Sequence, residues 1–387
     1  MKIVLVHPHD IFSKEEPWTV RIRSIAEEFV KRGHKVRLIY FPLRDEGQHL
    51  EKEYNGYFVI PLSRQHGPHI FLKNIRRVIA EAKWCDIIHF QKCFHYAALP
   101  VLLASFITGK PVHYDWDDWE IKIYYYPPNQ SRFIGFFLNS WETSLPCLCD
   151  TVSYSSYRLK EECERLGVKG ERMCQAHVGA DITKFRPDVD GSFIRTRYCL
   201  KPLVVLYLGQ LHGGQYTELY LRAAREVLRQ RNDVSFLVVG GGYRQNELIH
   251  FARHLQIDRD VVFTGYITHD ESPYYIAAAD VCVACFEDND ITRCKSPLKI
   301  VEYLASGKAI VASNVGEVRN MVGGIGVLVP PGDSQALAQG IVQLLNDGQL
   351  RREMSCRARE RAEHKYNWGV TAQNLLEMYG RSLNGKG

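Results

Sequence analysis

The sequence predicts an α/β protein made of two doubly wound domains in series. Three observations carry that expectation. Short β-branched runs alternate with amphipathic helical segments along nearly all of the 387 residues. The alternation breaks once, at the polar stretch GADITKFRPDVDGSFIRTRYCLKP (179–202), and then restarts. A chain of this length also holds enough residues for two domains that each bury a core.

The elements follow in order. KIVLVHP (2–8) reads as a first buried strand, too short and too quickly polar for a secretory signal. SIAEEFVKRG (24–33) is an amphipathic helix ending at a glycine, and HKVRLIYF (34–41) is the next strand. CDIIHF (85–90), an apolar helix near 97–108, KPVHYDWDD (110–118) and CDTVSYSS (149–156) complete the first series. The second series begins with LVVLYLGQ (203–210), a helix at 217–231, VSFLVVGGG (234–242) and a helix around 244–255. VVFTGYI (261–267), DVCVACF (280–286), the helical stretch SPLKIVEYLASGK (296–308), AIVASN (309–314) and GVLVPP (326–331) close it. Strands separated by helices make parallel sheets covered on both faces, so both domains are expected to be Rossmann-like. The expected division is 1–190 for the first domain and 200–367 for the second, with a last helix near 368–387 crossing back to the first. Ligands of such sheets bind beyond the carboxyl ends of the strands, which predicts a site in a central cleft between two facing domains.

Composition narrows the function classes. Apolar content of 45% and charged content of 24% are those of a soluble globular chain, and a net charge of +5 over this length does not require nucleic acid. No apolar run reaches the ~18 residues of a spanning helix. Eleven cysteines are scattered without a framework. Cys282 and Cys285 sit three apart in a strand pattern and face opposite sides, so they do not share a metal, and ordinary buried thiols of a cytoplasmic protein are expected.

The stretch SPLKIVEYLASGK carries most of the chemistry. Ser296 is a good N-cap and Pro297 suits the first helical position. The free amides and dipole of a helix start form an anion site, and Lys299 adds a full charge where the dipole alone would disfavour a cation. Glu302 lies on the same face, where its carboxylate can accept two hydrogen bonds from adjacent hydroxyls such as those of a ribose. A solvated Lys–Glu pair is the plainer alternative.

SPLKIVEYLASGKAIVASNVGEV resembles the donor-binding helix and following strand of the family-four retaining glycosyltransferases, which have the two-domain GT-B fold. IAEEFVKRGHKVRLI, DIIHF, LPVLLASFITGKPVHYDWDD, SYSSYRLKEECERLGVKGERMCQAHVGADITKFRP, VLYLGQL, FLVVGGGYRQNEL, VVFTGYI and YNWGVTAQNLLEMY resemble further units of that family in the same order. The resemblance implies a nucleotide-diphosphate sugar as donor and no cofactor. It implies that Glu302 holds the ribose, and that the turn at Ser296, Pro297 and Leu298 holds the diphosphate with Lys299. It places Tyr266 and Ile267 beside the nucleobase, and Gly209 and Gly241 where the chain approaches the donor, although a plain glycine turn would read the same.

The sequence departs from the family at several positions. The usual donor-sugar glutamate falls on Cys294, with Lys295 or Asp290 as substitutes. The usual arginine after Gly209 is Gln210, and a customary lysine is missing around Gln215 and Tyr216. Arg293 is the preferred source of the second phosphate-binding charge, with Lys295 or Arg21 as the others. Thr19 is expected to cap the first helix on the acceptor side. Asp117 stands where the family often has a histidine near the sugar ring; it can donate a hydrogen bond only if burial raises its pKa. The cluster of Asp115, Asp117, Asp118 and Glu120 also reads as a solvated strand end or as a Mg²⁺ site. The resemblance implies no metal, because helix dipole and lysine already balance the phosphates.

The implied reaction is sugar transfer with retained configuration, the leaving phosphate oxygen taking the acceptor proton. A nucleotide-sugar epimerase or hydrolase, and a binding protein without catalysis, are the alternatives; acceptor-dependent release of nucleoside diphosphate separates them. HGPHIFLKNIRRVIAEAKW (66–84) and RFIGFFLNSW (132–141) mix cations with apolar side chains, so peripheral contact with the inner face of a membrane and a lipid-linked acceptor are further expectations.

Overall fold

In a computed structural model the described residues are 1–13, 16–43, 50–65, 67–125, 130–212 and 216–384. Gln215, one of the departures from the family pattern, lies outside them. The chain divides into two compact units, Met1–Val178 with Trp368–Gly387, and Gly179–Asn367.

The first unit is built on an eight-stranded sheet. Its strands are β1 (Lys2–His7), β2 (Lys35–Tyr40), β3 (Lys52–Tyr54), β4 (Tyr57–Pro61), β5 (Ile87–Gln91), β6 (Val112–Trp116), β7 (Thr151–Tyr154) and β8 (Met173–Gln175). They run in the order β3-β4-β2-β1-β5-β6-β7-β8, parallel except for the β3–β4 hairpin. The runs of Val, Ile and Leu in β1 and β2 are buried on both faces because helices cover the sheet. The last helix, Trp368–Asn384, joins this unit: Thr371 Oγ1 donates to the His177 carbonyl at 2.8 Å, and the Tyr379 ring packs edge-on to Phe29 at 5.8 Å.

The second unit has a six-stranded sheet in the order β11-β10-β9-β12-β13-β14. Its strands are β9 (Leu203–Leu208), β10 (Val234–Val239), β11 (Val261–Phe263), β12 (Val281–Ala284), β13 (Ala309–Ser313) and β14 (Val327–Val329), all pairing in parallel. Cys282 and Cys285 are buried free thiols.

Each order contains one reversal. The chain leaves β1 toward β2 and later resumes on the other side of β1 with β5; it leaves β9 toward β10 and resumes on the other side of β9 with β12. Where the winding reverses, neighbouring loops part above the carboxyl ends of the strands and leave a crevice. The loops after β1, β5 and β6 surround one such point, and those after β9 and β12 the other.

Candidate active site

In the second unit the helix of interest spans Leu298–Ala305, with Pro297 rather than Ser296 as its N-cap residue. Pro297 has a ring-fixed φ of −71° but an extended ψ of 119°, so it ends the incoming strand-like segment instead of starting the helix. Ser296 thus sits one residue too early to cap, and among the described residues its buried Oγ has no hydrogen-bond partner. The amides of Leu298 and Lys299 are in the first turn and have no residue four back within the helix to bond. Lys299 reaches toward the end of β9: its Nζ lies 4.2 Å from the Tyr207 ring centroid, and a Cβ on Gly209 would come within 2.7 Å of it. Among the described residues Lys299 has no ion pair. Burial, with Lys295 nearby, lowers its pKa to about 8, while Cys285 and Glu302 act the other way.

The glycines beside it serve the chain itself. A Cβ on Gly240 would meet the Gly209 carbonyl oxygen at 2.0 Å, one on Gly241 the Tyr266 nitrogen at 2.9 Å, and one on Gly242 the Leu211 oxygen at 2.3 Å. They allow the loops after β9, β10 and β11 to stack, and this places Gly209, Gly241 and Tyr266 together with Lys299. Tyr266 is exposed; Ile267 and Gln210 are half-buried.

Glu302 is 2% exposed, and its Oε1 lies 2.7 Å from His269 Nε2. Arg293 is exposed, and Asp288 holds its guanidinium at 2.6 and 3.0 Å. Its charge is therefore already paired on the surface. Lys295, which depresses Lys299, is the nearer second cation. Cys294, on the short Asp290–Cys294 helix, is buried.

The first unit rearranges the expected acceptor side. Arg21 is buried and faces inward: Nε and one terminal nitrogen each donate to Asp115 at 2.8 Å, and its other bonds go to the His177 and Ala176 carbonyls at 3.1 and 2.9 Å. Burial opposes the Asp115 charge, but Arg21 and the Ser153 hydroxyl outweigh it and hold the carboxyl well below its usual range. Arg21 thus braces β6 and is not a spare phosphate ligand. Thr19 occupies the N-cap position of the Val20–Lys31 helix, but its backbone is already helical, so its side chain makes no cap bond.

Asp117 and Asp118 follow β6, and the cluster they form with Glu120 is organised by Lys92. That residue, at the end of β5 with φ of +66°, is 5% exposed. Its Nζ lies 2.6 Å from Glu120 Oε1, 3.1 Å from Asp118 Oδ2 and 3.4 Å from Asp117 Oδ1. The ammonium lies among the three carboxylates, the position a divalent ion would take, and among the described residues the buried Asp117 Oδ1 has no hydrogen bond. Burial raises the Asp117 pKa to about 7, with Lys92 opposing and Asp118 and Asp115 adding. Behind the cluster, Glu142 accepts from the amides of Glu120 and Ile121, both at 2.8 Å, and from Trp116 Nε1 at 3.0 Å. Burial and Glu120 push its carboxyl up to about 8.

Lys92, Glu142 and His269 were not legible as site residues. Lys92 is the one with a local signal, a lone cation directly after a buried strand in HFQKCFH.

Two parallel-sheet units with their charged side chains gathered at the winding reversals are the architecture of the GT-B glycosyltransferases. Residues 202–347 match the model of the family described as glycosyl transferases group 1, and residues 19–179 match the glycosyl transferase 4-like domain. The D-inositol 3-phosphate glycosyltransferase of Corynebacterium diphtheriae is 31% identical over 388 residues, covering 93% of this chain and 88% of that protein. The chain belongs to the group 1 glycosyltransferase family. Alpha-D-kanosaminyltransferase of Streptomyces kanamyceticus is 27% identical over 192 residues, 48% of each chain. The chain spans about half the length of several curated relatives that it matches, 48 to 54%. Among solved structures, Anabaena HepE in complex with UDP and glucose superposes with a TM-score of 0.76 at 20% identity, over 98% of this chain and 99% of that one.

Proposed function

We propose that this chain transfers a sugar from a nucleotide-diphosphate sugar to a hydroxyl acceptor with retention of anomeric configuration. The observation that carries the reading is Lys299, half-buried over the end of β9 without an ion pair among the described residues, at the start of a helix whose first-turn amides lack intrahelical partners. A half-buried cation without a counter-charge beside such a helix start suits a phosphate. The first-turn amides and Lys299 stabilise charge on the leaving diphosphate, Lys295 supplying a second positive field. The departing phosphate oxygen takes the acceptor proton as the new glycosidic bond forms. Asp117, protonated on part of the molecules near neutral pH, donates a hydrogen bond to the sugar or the acceptor. The reading assigns the phosphates no metal.

On the acceptor side we propose a lipid-linked acceptor met at a membrane surface. Phe133, Ile134, Phe136 and Phe137 are 51 to 71% exposed at the start of the Arg132–Leu148 helix. Leu72, Lys73 and Arg76 are exposed near the start of the Pro68–Trp84 helix. Both helices leave the carboxyl edge of the first sheet, the edge that carries Lys92 and Asp117. Among the described residues no helix is long and apolar enough to cross a membrane, so contact would be peripheral.

The deciding experiment incubates the protein with UDP-, GDP- and ADP-sugars and assays nucleoside diphosphate release with and without polyol and lipid-extract acceptors. Acceptor-dependent release, with the donor's anomeric configuration kept in the product by NMR and undiminished by EDTA, is the expected result. Release that ignores the acceptor argues for a hydrolase, and binding without release argues for a non-catalytic protein.

A further inference from the structure

The Glu302 carboxylate is not free to meet a ligand with both oxygens, and the residue that holds it is itself held. Lys184 Nζ lies 3.3 Å from His269 Nδ1 and 2.6 Å from Asp270 Oδ1. A lysine ammonium has only donors, so Nδ1 must accept, and the imidazole proton resides on Nε2. That N–H points at Glu302 Oε1, 2.7 Å away. The Phe185 ring packs against the imidazole with centroids 5.5 Å apart, and Lys184 is anchored in turn by the Asp181 carboxylate, which accepts its amide at 3.2 Å. Lys184, His269 and Glu302 therefore form a directional chain of hydrogen bonds within the second unit. Each member fixes the orientation of the next, as an outer partner of a ligand-binding group does.

We propose that His269 is a positioning residue for the donor's ribose: it occupies Oε1 of Glu302, sets the carboxylate's rotamer and leaves Oε2 as the acceptor for a ribose hydroxyl. The inference rests on the proposed nucleotide-sugar donor, with Glu302 toward the ribose as the family resemblance implies, and it adds the source of discrimination between ribose and deoxyribose. Without His269 the carboxylate turns or recruits water, and the hydroxyl loses a fixed partner. On this proposal His269 acts through Glu302 rather than on the ligand, so its loss should appear in donor affinity and leave turnover at saturation nearly unchanged.

The test measures calorimetric affinities for UDP, GDP and ADP and for their 2′-deoxy and 3′-deoxy forms, together with donor KM and kcat. The wild type is expected to prefer the best ribonucleotide to one of its deoxy forms by about tenfold or more, as loss of a hydrogen bond to a charged group implies. His269→Ala should weaken ribonucleotide binding and raise donor KM by about tenfold, shrink the ribo/deoxy preference to within about twofold, and keep kcat within about twofold. His269→Gln, which retains a side-chain N–H, should recover most of the preference, and Lys184→Met should fall between. If His269→Ala does not fold, the Gln and Met variants carry the comparison. A His269→Ala or Lys184→Met protein with an unchanged ribo/deoxy ratio overturns the proposal while leaving the donor reading intact. A wild type that binds none of the three nucleotides overturns both.

Discussion

Lys92 Nζ and Glu120 Oε1 lie 2.6 Å apart, and the same ammonium is within 3.4 Å of two further carboxylates. Burial lowers the Lys92 pKa, but Asp117, Asp118 and Glu120 outweigh it and raise it well above its ordinary value. The stability this gives is present below the unfolded lysine pKa and lost as pH rises through the folded one. Lys92→Met removes the shared counter-charge, and about 3–5 kcal/mol of urea-derived stability should go with it at pH 7. Adding Asp118→Asn should recover part of the loss. Unchanged stability in the single variant would show that the cluster is solvated.

Asp117 and Glu142 are two buried acids whose ionisation falls near neutral pH. The folded pKa of Asp117, about 7, lies above the unfolded value, so the native state binds more protons between roughly pH 4 and 7 and stability falls as pH rises through that window. If the protonated form donates in catalysis, the rate should also decline above pH 7. Asp117→Asn keeps a donor and should flatten the rate profile and remove the Asp117 share of the stability slope, leaving that of Glu142, while retaining measurable turnover; Asp117→Ala should lose about 100-fold in rate. A wild-type rate that climbs steadily from pH 6 to 9 contradicts the assignment.

Lys299 should show opposed effects on function and stability. Its folded pKa, about 8, lies below the unfolded one, so the native state binds fewer protons between about pH 8 and 10 and stability rises with pH there. Lys299→Met relieves the cost of a partly desolvated cation and should stabilise the apo protein slightly, by about 1 kcal/mol at pH 7. The same variant should weaken nucleoside diphosphate binding by at least tenfold. Calorimetric melting and titration on one preparation read both effects, and a variant that binds normally removes Lys299 from the site.

Arg21 and Asp115 should behave as structure alone. Arg21→Met leaves a buried carboxylate unpaired and should cost about 3–5 kcal/mol. Asp115 is held below its unfolded pKa, so its contribution is complete above that value and lost as pH falls. Folded Arg21→Met protein should keep the wild-type donor KM; a tenfold rise would return Arg21 to the phosphates.

Flotation with vesicles containing anionic lipid should carry the wild type upward at low salt and less of it at high salt, because Lys73 and Arg76 contribute electrostatically. A Phe133→Ser, Phe137→Ser double variant should stay at the bottom at either ionic strength with its melting temperature unchanged. Equal flotation of the two proteins would dismiss the aromatic face.

Most of the sheet was legible because buried parallel strands leave uninterrupted Val, Ile and Leu runs, as in KIVLVH and VSFLVV. The β3–β4 hairpin was overlooked although its turn is written in the chain: Asn55 and Gly56 have φ of 47° and 82°, the pairing that a tight hairpin favours. At the site, Lys299 and Glu302 stood out because their spacing on one helix is local. Lys92 with Glu120, and His269 with Glu302, are 28 and 33 residues apart, and nothing local to either position announces its partner. The inward role of Arg21 is hidden in the sequence for the same reason, since its partner Asp115 is 94 residues away.

The Trp368–Asn384 helix makes the second unit, in covalent terms, an insertion: the backbone leaves the first unit after Val178 and re-enters it at Trp368. During synthesis the second unit can therefore finish folding before its host can. The host must wait for Tyr379 to clear the ribosome and bond His89 of β5. A stop codon placed just before Trp368 would spare every residue assigned here to nucleotide binding and yet expose the underside of the amino-terminal sheet, so a lesion at one end of the gene would act on the product of the other.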